Sequence, residues 1–154
     1  MPGPIRPASI VDLPAVERIV RDAYVKYISR MGKTPRPMLD DYRKRIRAHE
    51  IWVILDNNIV VGVLVLLPES DHLLLDNVAV DPAFHGRGIG RILIEFAERE
   101  ANRRGYDEIR LYTHRTMHEN IAMYPRRGYE EIARFRQDGF ERVFFRKGIT
   151  ETPR

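Results

Sequence analysis

Seven residues, His85 to Arg91 (HGRGIGR), hold glycines at every second position, Gly86, Gly88 and Gly90, with Arg87 and Arg91 among them. An apolar run (HLLLDNVAV, 72–80) precedes them and a stretch with helical apolar spacing follows. A helix start exposes N–H groups that have no intrahelical partner and carries partial positive charge. Glycines ahead of such a start let a phosphate approach bare backbone with no Cβ in the way. Arg87 and Arg91 would add donors of permanent charge. A glycine-rich turn that only packs a helix close to a strand has the same composition, so the turn by itself leaves both readings open. Two other phosphate motifs are excluded. A dinucleotide fingerprint begun at Gly86 needs glycine at 91, where Arg91 stands, and no Lys-Ser/Thr pair closes a Walker loop. The segment HENIA (118–122) ends in Ala122, so it is not the zinc-binding HExxH, and no metal site is expected.

Several elements must position this turn. Residues 4–8 suit a short edge strand. From Asp12 to Ser29, Val16, Ile19, Val20, Ala23 and Tyr24 recur at helical spacing, with Asp12 as the expected cap and Pro14 in the first turn. The segment SRMGKTPRPM (29–38) reads as a loop and Leu39–His49 as a short helix. Two strands, 50–55 and 59–67, flank an Asn57-Asn58 turn. The third, 72–80, is so apolar that cover on both faces is expected. Ile89, Ile92, Leu93, Phe96, Ala97 and Ala101 line one face of a helix ending at Gly105. Then come a strand over 109–113, a short helix over 119–127, and strands 129–135 and 140–147 joined through Gln137-Asp138-Gly139. Pro125 lacks an N–H, which predicts that the short helix kinks or starts late. Early hairpins followed by strand–helix–strand units indicate a mixed α/β sheet.

The 154 residues suit one domain, expected over 1–148, with 149–154 a frayed tail. Lys plus Arg number 26 and Asp plus Glu 22, for a net charge of +4. The signs are interspersed, which suits a solvated surface with a slight pull on anions more than a nucleic-acid face. There is no cysteine, so disulfides, thiolate nucleophiles and an acyl-cysteine route are out. No apolar run reaches the length of a membrane span, and no membrane or nucleic-acid partner is expected. The absence of cysteine and of a signal-like N-terminal run suits the cytoplasm.

The whole of NVAVDPAFHGRGIGRILI (77–94) resembles the core motif of the GCN5-related N-acetyltransferase (GNAT) superfamily. There a strand ending in Val-x-Pro leads to Gln or Arg, two residues, Gly, one residue, then Gly or Ala. Gly88 and Gly90 match the two small positions, and His85 stands at the Gln or Arg position. A second match, ENIAMYPRRGYEE (119–131), resembles the family's Asn-x-x-x-Tyr segment followed by Gly and an aromatic residue. The resemblance covers most of the chain, Ile5 to Lys147, and the two motifs together are much more specific than either one. The resemblance implies an α/β fold: a mixed, mostly antiparallel sheet of about six to seven strands, flanked by about four helices and splayed at its centre to hold acetyl-CoA.

It also implies roles. His85, Gly86, Arg87, Gly88, Ile89, Gly90 and Arg91 would wrap the pyrophosphate. The backbone of Val78, Ala79 and Val80 would meet the acetyl carbonyl and pantetheine, and Asn120 would contact the cofactor. Tyr124 would be the general acid for the departing thiolate, a role a phenol neutral at pH 7 can fill. Transfer to an amine needs the amine neutral, which a base helps. Asp76, a carboxylate inside the apolar run, is the first candidate, His114 the second and His118 the third; a hydrogen-bonded structural role suits Asp76 equally. The expected activity is direct acetyl transfer to a primary amine, of a small molecule or peptide. A non-catalytic acyl-CoA-binding module is the alternative. The loop at 29–38 would form one wall of the acceptor cleft, with Arg30, Lys33 and Arg36 or Met31 and Met38 facing the acceptor, and Tyr24, Tyr27 and Tyr42 beside them. A homodimer is common in the family.

Overall fold

The computed structural model describes residues 3–149. Seven strands, β1 (Ile5–Pro7), β2 (Ile51–Asp56), β3 (Ile59–Pro68), β4 (Leu73–Val80), β5 (Glu108–His114), β6 (Glu130–Gln137) and β7 (Phe140–Gly148), form one sheet in the order β1-β2-β3-β4-β5-β7-β6. The helices are α1 (Leu13–Tyr24), α2 (Tyr27–Met31), α3 (Tyr42–Arg47), α4 (Ile89–Arg103) and α5 (His118–Arg126). The expected mixed sheet is therefore present, with seven strands and five helices. The chain groups into two compact units: residues up to 66 with 77–96, and residues 67–76 with 97 onward.

In the first unit, β1, β2 and β3 pair antiparallel. Asn57 and Asn58 both take positive φ (50° and 64°), the left-handed pair a tight hairpin needs and asparagine tolerates. Cover on both faces belongs to β2 and β3, where Ile51–Ile54 and Val60–Leu66 are buried in unbroken runs. It does not belong to β4. There Leu73, Leu75, Asn77 and Ala79 are buried while Leu74, Asp76, Val78 and Val80 stay half-buried. An apolar run cannot by itself distinguish a strand covered twice from one with a half-open face.

Asp12 precedes α1 as expected, but its carboxylate does not cap the helix. It accepts two bonds from Arg6, at 2.7 and 3.1 Å, and one from the Ser9 amide at 2.8 Å. The strand-borne guanidinium draws it away from the helix start. The expected helix over 12–29 is two helices, and Ser29–Met31 end α2 rather than open a loop. Gly32, at φ 73°, closes α2, and Arg36–Leu39 wind into a 3-10 turn. Asp41 caps α3 through the Lys44 amide at 3.1 Å.

In the second unit, β4 and β5 pair in parallel, Leu73–Leu75 against Ile109–Leu111. Strand β7 pairs antiparallel with both β5 and β6. Asp138 (φ 52°) and Gly139 (φ 81°) make the expected two-residue turn. Helix α5 starts at His118 and carries Pro125 in its last turn, so it does not start late. Of the tail expected from 149, residues 150–154 lie outside the described residues, and the Ile149 amide donates to the Asp107 carbonyl at 2.7 Å.

Candidate active site

In the first unit the turn at 85–91 is built from β4 forward. The Asp81 amide donates to the Val61 carbonyl at 2.9 Å, which registers the end of β4 on β3. The Asp81 carboxylate accepts from the Ala83 amide at 3.0 Å and from Arg18 at 3.2 Å, fixing a 3-10 turn over Pro82–Phe84. Gly86 and Gly88 then take φ of 78° and 77°, where any L side chain is strained. A Cβ at Gly86 would meet nothing within 4 Å, and one at Gly88 only the tip of Arg91. These two are glycines for conformation, and open space lies before them.

Gly90 is different. It lies in the first turn of α4, its φ is ordinary, and a Cβ there would meet only Val80 at 3.7 Å, an ordinary contact. Neither strain nor crowding within the protein requires glycine, and helical glycine costs about 0.5–1 kcal/mol against alanine. The amides of Ile89, Gly90 and Arg91 are first-turn donors without intrahelical acceptors. Arg87 stacks on Phe84 at 4.8 Å and reaches Asp56 at 3.9 Å, Arg91 reaches Glu95 at 3.6 Å, and His85 is exposed.

Gly62 on β3, read from sequence only as a strand residue, sets the height of α4. A Cβ there would come within 2.7 Å of Ile54, 3.1 Å of Leu93 and 3.2 Å of Ile89. A second missed residue is Asn77, which is buried between two tyrosines. It accepts from the Tyr24 hydroxyl at 2.6 Å and donates to the Tyr42 hydroxyl at 3.1 Å, and Tyr42 donates to the Pro37 carbonyl at 2.5 Å. Tyr24 and Tyr42 are thus committed to structure. Arg30 lies over the Tyr27 ring at 4.9 Å.

The second unit holds the titratable candidates. Asp76, half-buried, accepts from the Tyr112 hydroxyl at 3.0 Å. His114 turns Nδ1 toward the Thr116 amide (3.1 Å) and hydroxyl (2.9 Å). The backbone N–H can only donate, so this nitrogen accepts, and its lone pair is in use. His118 is exposed at the first position of α5. The Asn120 side-chain Nδ2 donates to the Thr113 hydroxyl at 3.1 Å, which in turn donates to the Met117 sulfur at 3.2 Å.

Tyr124 is buried, its ring edge-on to Tyr129 at 5.6 Å and tilted against Phe145 at 5.7 Å. Tyr129 donates to Glu98 at 2.9 Å. Burial first, then the Glu98 charge and hydrogen bond, push the Tyr129 phenol well above its ordinary value, so it stays neutral. Among the described residues no group of three or more His, Cys, Asp or Glu is placed to hold a metal ion, and no helix is long and apolar enough to cross a membrane.

The sequence profile of the acetyltransferase (GNAT) family matches residues 13–129, which span both the glycine turn and Tyr124. The chain belongs to that family. Among curated proteins, the acetyltransferase is 28% identical over 137 residues to the uncharacterized N-acetyltransferase YjgM of Escherichia coli (strain K12), covering 83% of this chain and 82% of that one. Among solved structures it resembles the ribosomal-protein-S18-alanine N-acetyltransferase of Escherichia coli, with TM-score 0.76, 22% identity, and 99% and 97% of the two chains covered. It resembles equally the PaiA N-acetyltransferase of Thermoplasma acidophilum, solved in complex with coenzyme A, with TM-score 0.76, 19% identity and 94% and 98% covered. At these identities the structural likeness speaks for the fold. With family and fold agreeing, the acetyltransferase is an enzyme of the N-acetyltransferase class.

Proposed function

We propose that this enzyme moves an acetyl group from acetyl-CoA directly to a primary amine. Gly90 carries the reading: a helical glycine that the protein itself does not need, beside two left-handed glycines facing open space and three first-turn amides. A phosphate on those amides needs the room a Cβ would fill. Acetyl-CoA would supply the thioester-activated acetyl group and the phosphates. Ile89, Gly90 and Arg91 would hold the phosphates through backbone N–H groups, with Arg87 and Arg91 adding charge.

Asp76 is the favoured base. It is half-buried and accepts from the Tyr112 hydroxyl, whereas the Nδ1 lone pair of His114 is already accepting from a backbone N–H. Asp76 would take the proton that the attacking amine gives up as the C–N bond forms. Tyr124 would give its phenol proton to sulfur as the C–S bond breaks. Asn120, pinned to Thr113, would contact the cofactor, as the family match implies. Free-thiol release from acetyl-CoA across a broad panel of amines tests the reading. Thiol release that depends on one class of amine is expected. Binding of acetyl-CoA with no release for any amine would favour a non-catalytic module.

A further inference from the structure

Sheet alternation sorts the second unit into two faces. Ile109, Leu111 and Thr113 of β5 are buried on one, with Val143 and Phe145 of β7 opposite Thr113 and Leu111. Tyr112 and His114 lie on the other, opposite Phe144 and Arg142. Phe135 of β6 registers with Arg142 and stacks on Phe144 at 4.5 Å and 13°. This second face also carries Arg110 opposite Arg146, and toward Phe140 it is aromatic with the Arg142 guanidinium set among the rings.

That guanidinium is unusual. Arg142 is only 6% exposed. Its carbon lies 4.3 Å over the Tyr112 ring and 5.8 Å from the Phe140 ring. Nη1 donates to the Gln137 side-chain carbonyl, and Nη2 is buried with no hydrogen-bond partner. Among the described residues no carboxylate pairs with it. Four arginines on or next to these strands behave otherwise: Arg110 pairs with Glu108 at 2.6 Å, Arg115 with Glu141 at 2.5 Å, Arg146 with Glu130, and Arg134 of β6 with Glu131 at 2.8 Å. These four arginines have carboxylates and the buried one has none. A buried cation left with an open donor is destabilising unless something completes it. Ring faces offset part of that cost. A carboxylate would offset the rest, by a charge-assisted hydrogen bond in a dry site.

Tyr112 links this cation to the chemistry. Its ring carries the guanidinium and its hydroxyl donates to Asp76. The open Nη2 donor and the favoured base are one phenol apart, within a single compact unit. We infer that Arg142 recognises a carboxylate on the acceptor, so that the acceptor is an amine bearing a carboxylate, such as an amino acid or an acidic or C-terminal position of a peptide. The inference rests on the acetyl-transfer reading for its consequence in turnover, but not for binding.

Matched pairs that differ only by the carboxylate test it: tyrosine against tyramine, lysine against cadaverine, and a short peptide against its C-terminal amide. Each is measured twice, by thiol release from acetyl-CoA and by calorimetric binding without turnover. The carboxylate member is expected to bind more tightly and to show the lower KM. In Arg142→Met, which keeps the stem that packs between the rings, that preference is expected to fall about ten- to a hundredfold, the range for a hydrogen bond to a charged group. Arg142→Lys is expected to keep part of it. Should both variants fail to fold by thermal melting, the wild-type preference alone decides. Equal binding of the two members of every pair overturns the inference, as does a preference unchanged in Arg142→Met. A carboxylate preference in calorimetry without thiol release supports the anion site and counts against acetyl transfer. Thiol release with no carboxylate preference does the reverse. The peptide pair separates a free amino acid from a peptide end.

Discussion

Positive charge is presented in two ways in this molecule. At the glycine turn the side chains of Arg87 and Arg91 are 59% and 61% exposed and reach carboxylates on Asp56 and Glu95 at 3.9 and 3.6 Å. These are loose contacts in water, and a polyanion can displace them at little cost. The backbone beneath is open and, in the proposed reading, would carry the rest of the attraction. On the β5–β7–β6 face Arg142 is buried, held by two rings and an amide, and lacks a carboxylate. The first arrangement suits a large, flexible phosphate ligand whose hold is long-range and salt-sensitive. The second suits one small anion, recognised by fit.

The comparison can be broken at several points. Tyr124→Phe removes the phenol proton while keeping the ring that packs on Tyr129 and Phe145. It should lower kcat about a hundredfold, a usual size for loss of a general acid, with acetyl-CoA affinity held; steady-state kinetics with calorimetry would show this. Unchanged kcat would remove Tyr124 from the chemistry.

Raising ionic strength should weaken acetyl-CoA binding more than the carboxylate preference at Arg142, because exposed charges are screened and buried ones are not. Equal salt slopes would erase the distinction between the two regions. Gly62→Ala should destabilise by about 1–3 kcal/mol through overpacking against Ile54, Leu93 and Ile89. It should loosen acetyl-CoA binding as well, since those contacts seat the start of α4. Denaturant melts and titration would separate the two effects.

The smallest expected effect is at Asp12, which belongs to neither region. The Arg6 hydrogen bond first, opposed by burial and aided by the Ser9 amide, holds the Asp12 carboxyl below its ordinary value. A lowered folded value means the stability is complete above the ordinary carboxylate range and is lost as pH falls below it. Asp12→Asn should therefore cost about 1 kcal/mol near neutrality. Arg6 is partly exposed, which keeps the figure modest. The gap from wild type should narrow in acid, as thermal melts across pH would show.

The two regions also differ in how far the sequence exposes them. The glycine turn is contiguous, and its proposed role rests on backbone, so spacing and residue type are enough to single it out. Even there, the distinction between Gly86, a glycine for φ, and Gly90, a glycine proposed to leave room, comes from the fold and not from the spacing. The Arg142 face is assembled by register from β5, β7 and β6, with Asp76 joined through a tyrosine hydroxyl. A lone Arg in FERVFF carries no local sign that it is buried or that its strand pairs Arg142 with His114. The period-2 alternation of LYTH and ERVF was the available signal, and it places Tyr112, His114 and Arg142 on one face once strand order is known. The misread cap at Asp12 has the same origin: its partner Arg6 lies on another element.

The most direct test of the central claim is titration of acetyl-CoA into the wild-type enzyme and into Gly90→Ala, with folding midpoints measured in parallel. The account predicts saturable binding by the wild type. In the variant it predicts affinity about tenfold weaker, as a Cβ would intrude on phosphate contacts, with an equal or higher midpoint because alanine is the better helix residue. Equal affinities would contradict the cradle at this turn, and no binding of acetyl-CoA by the wild type would contradict the account as a whole.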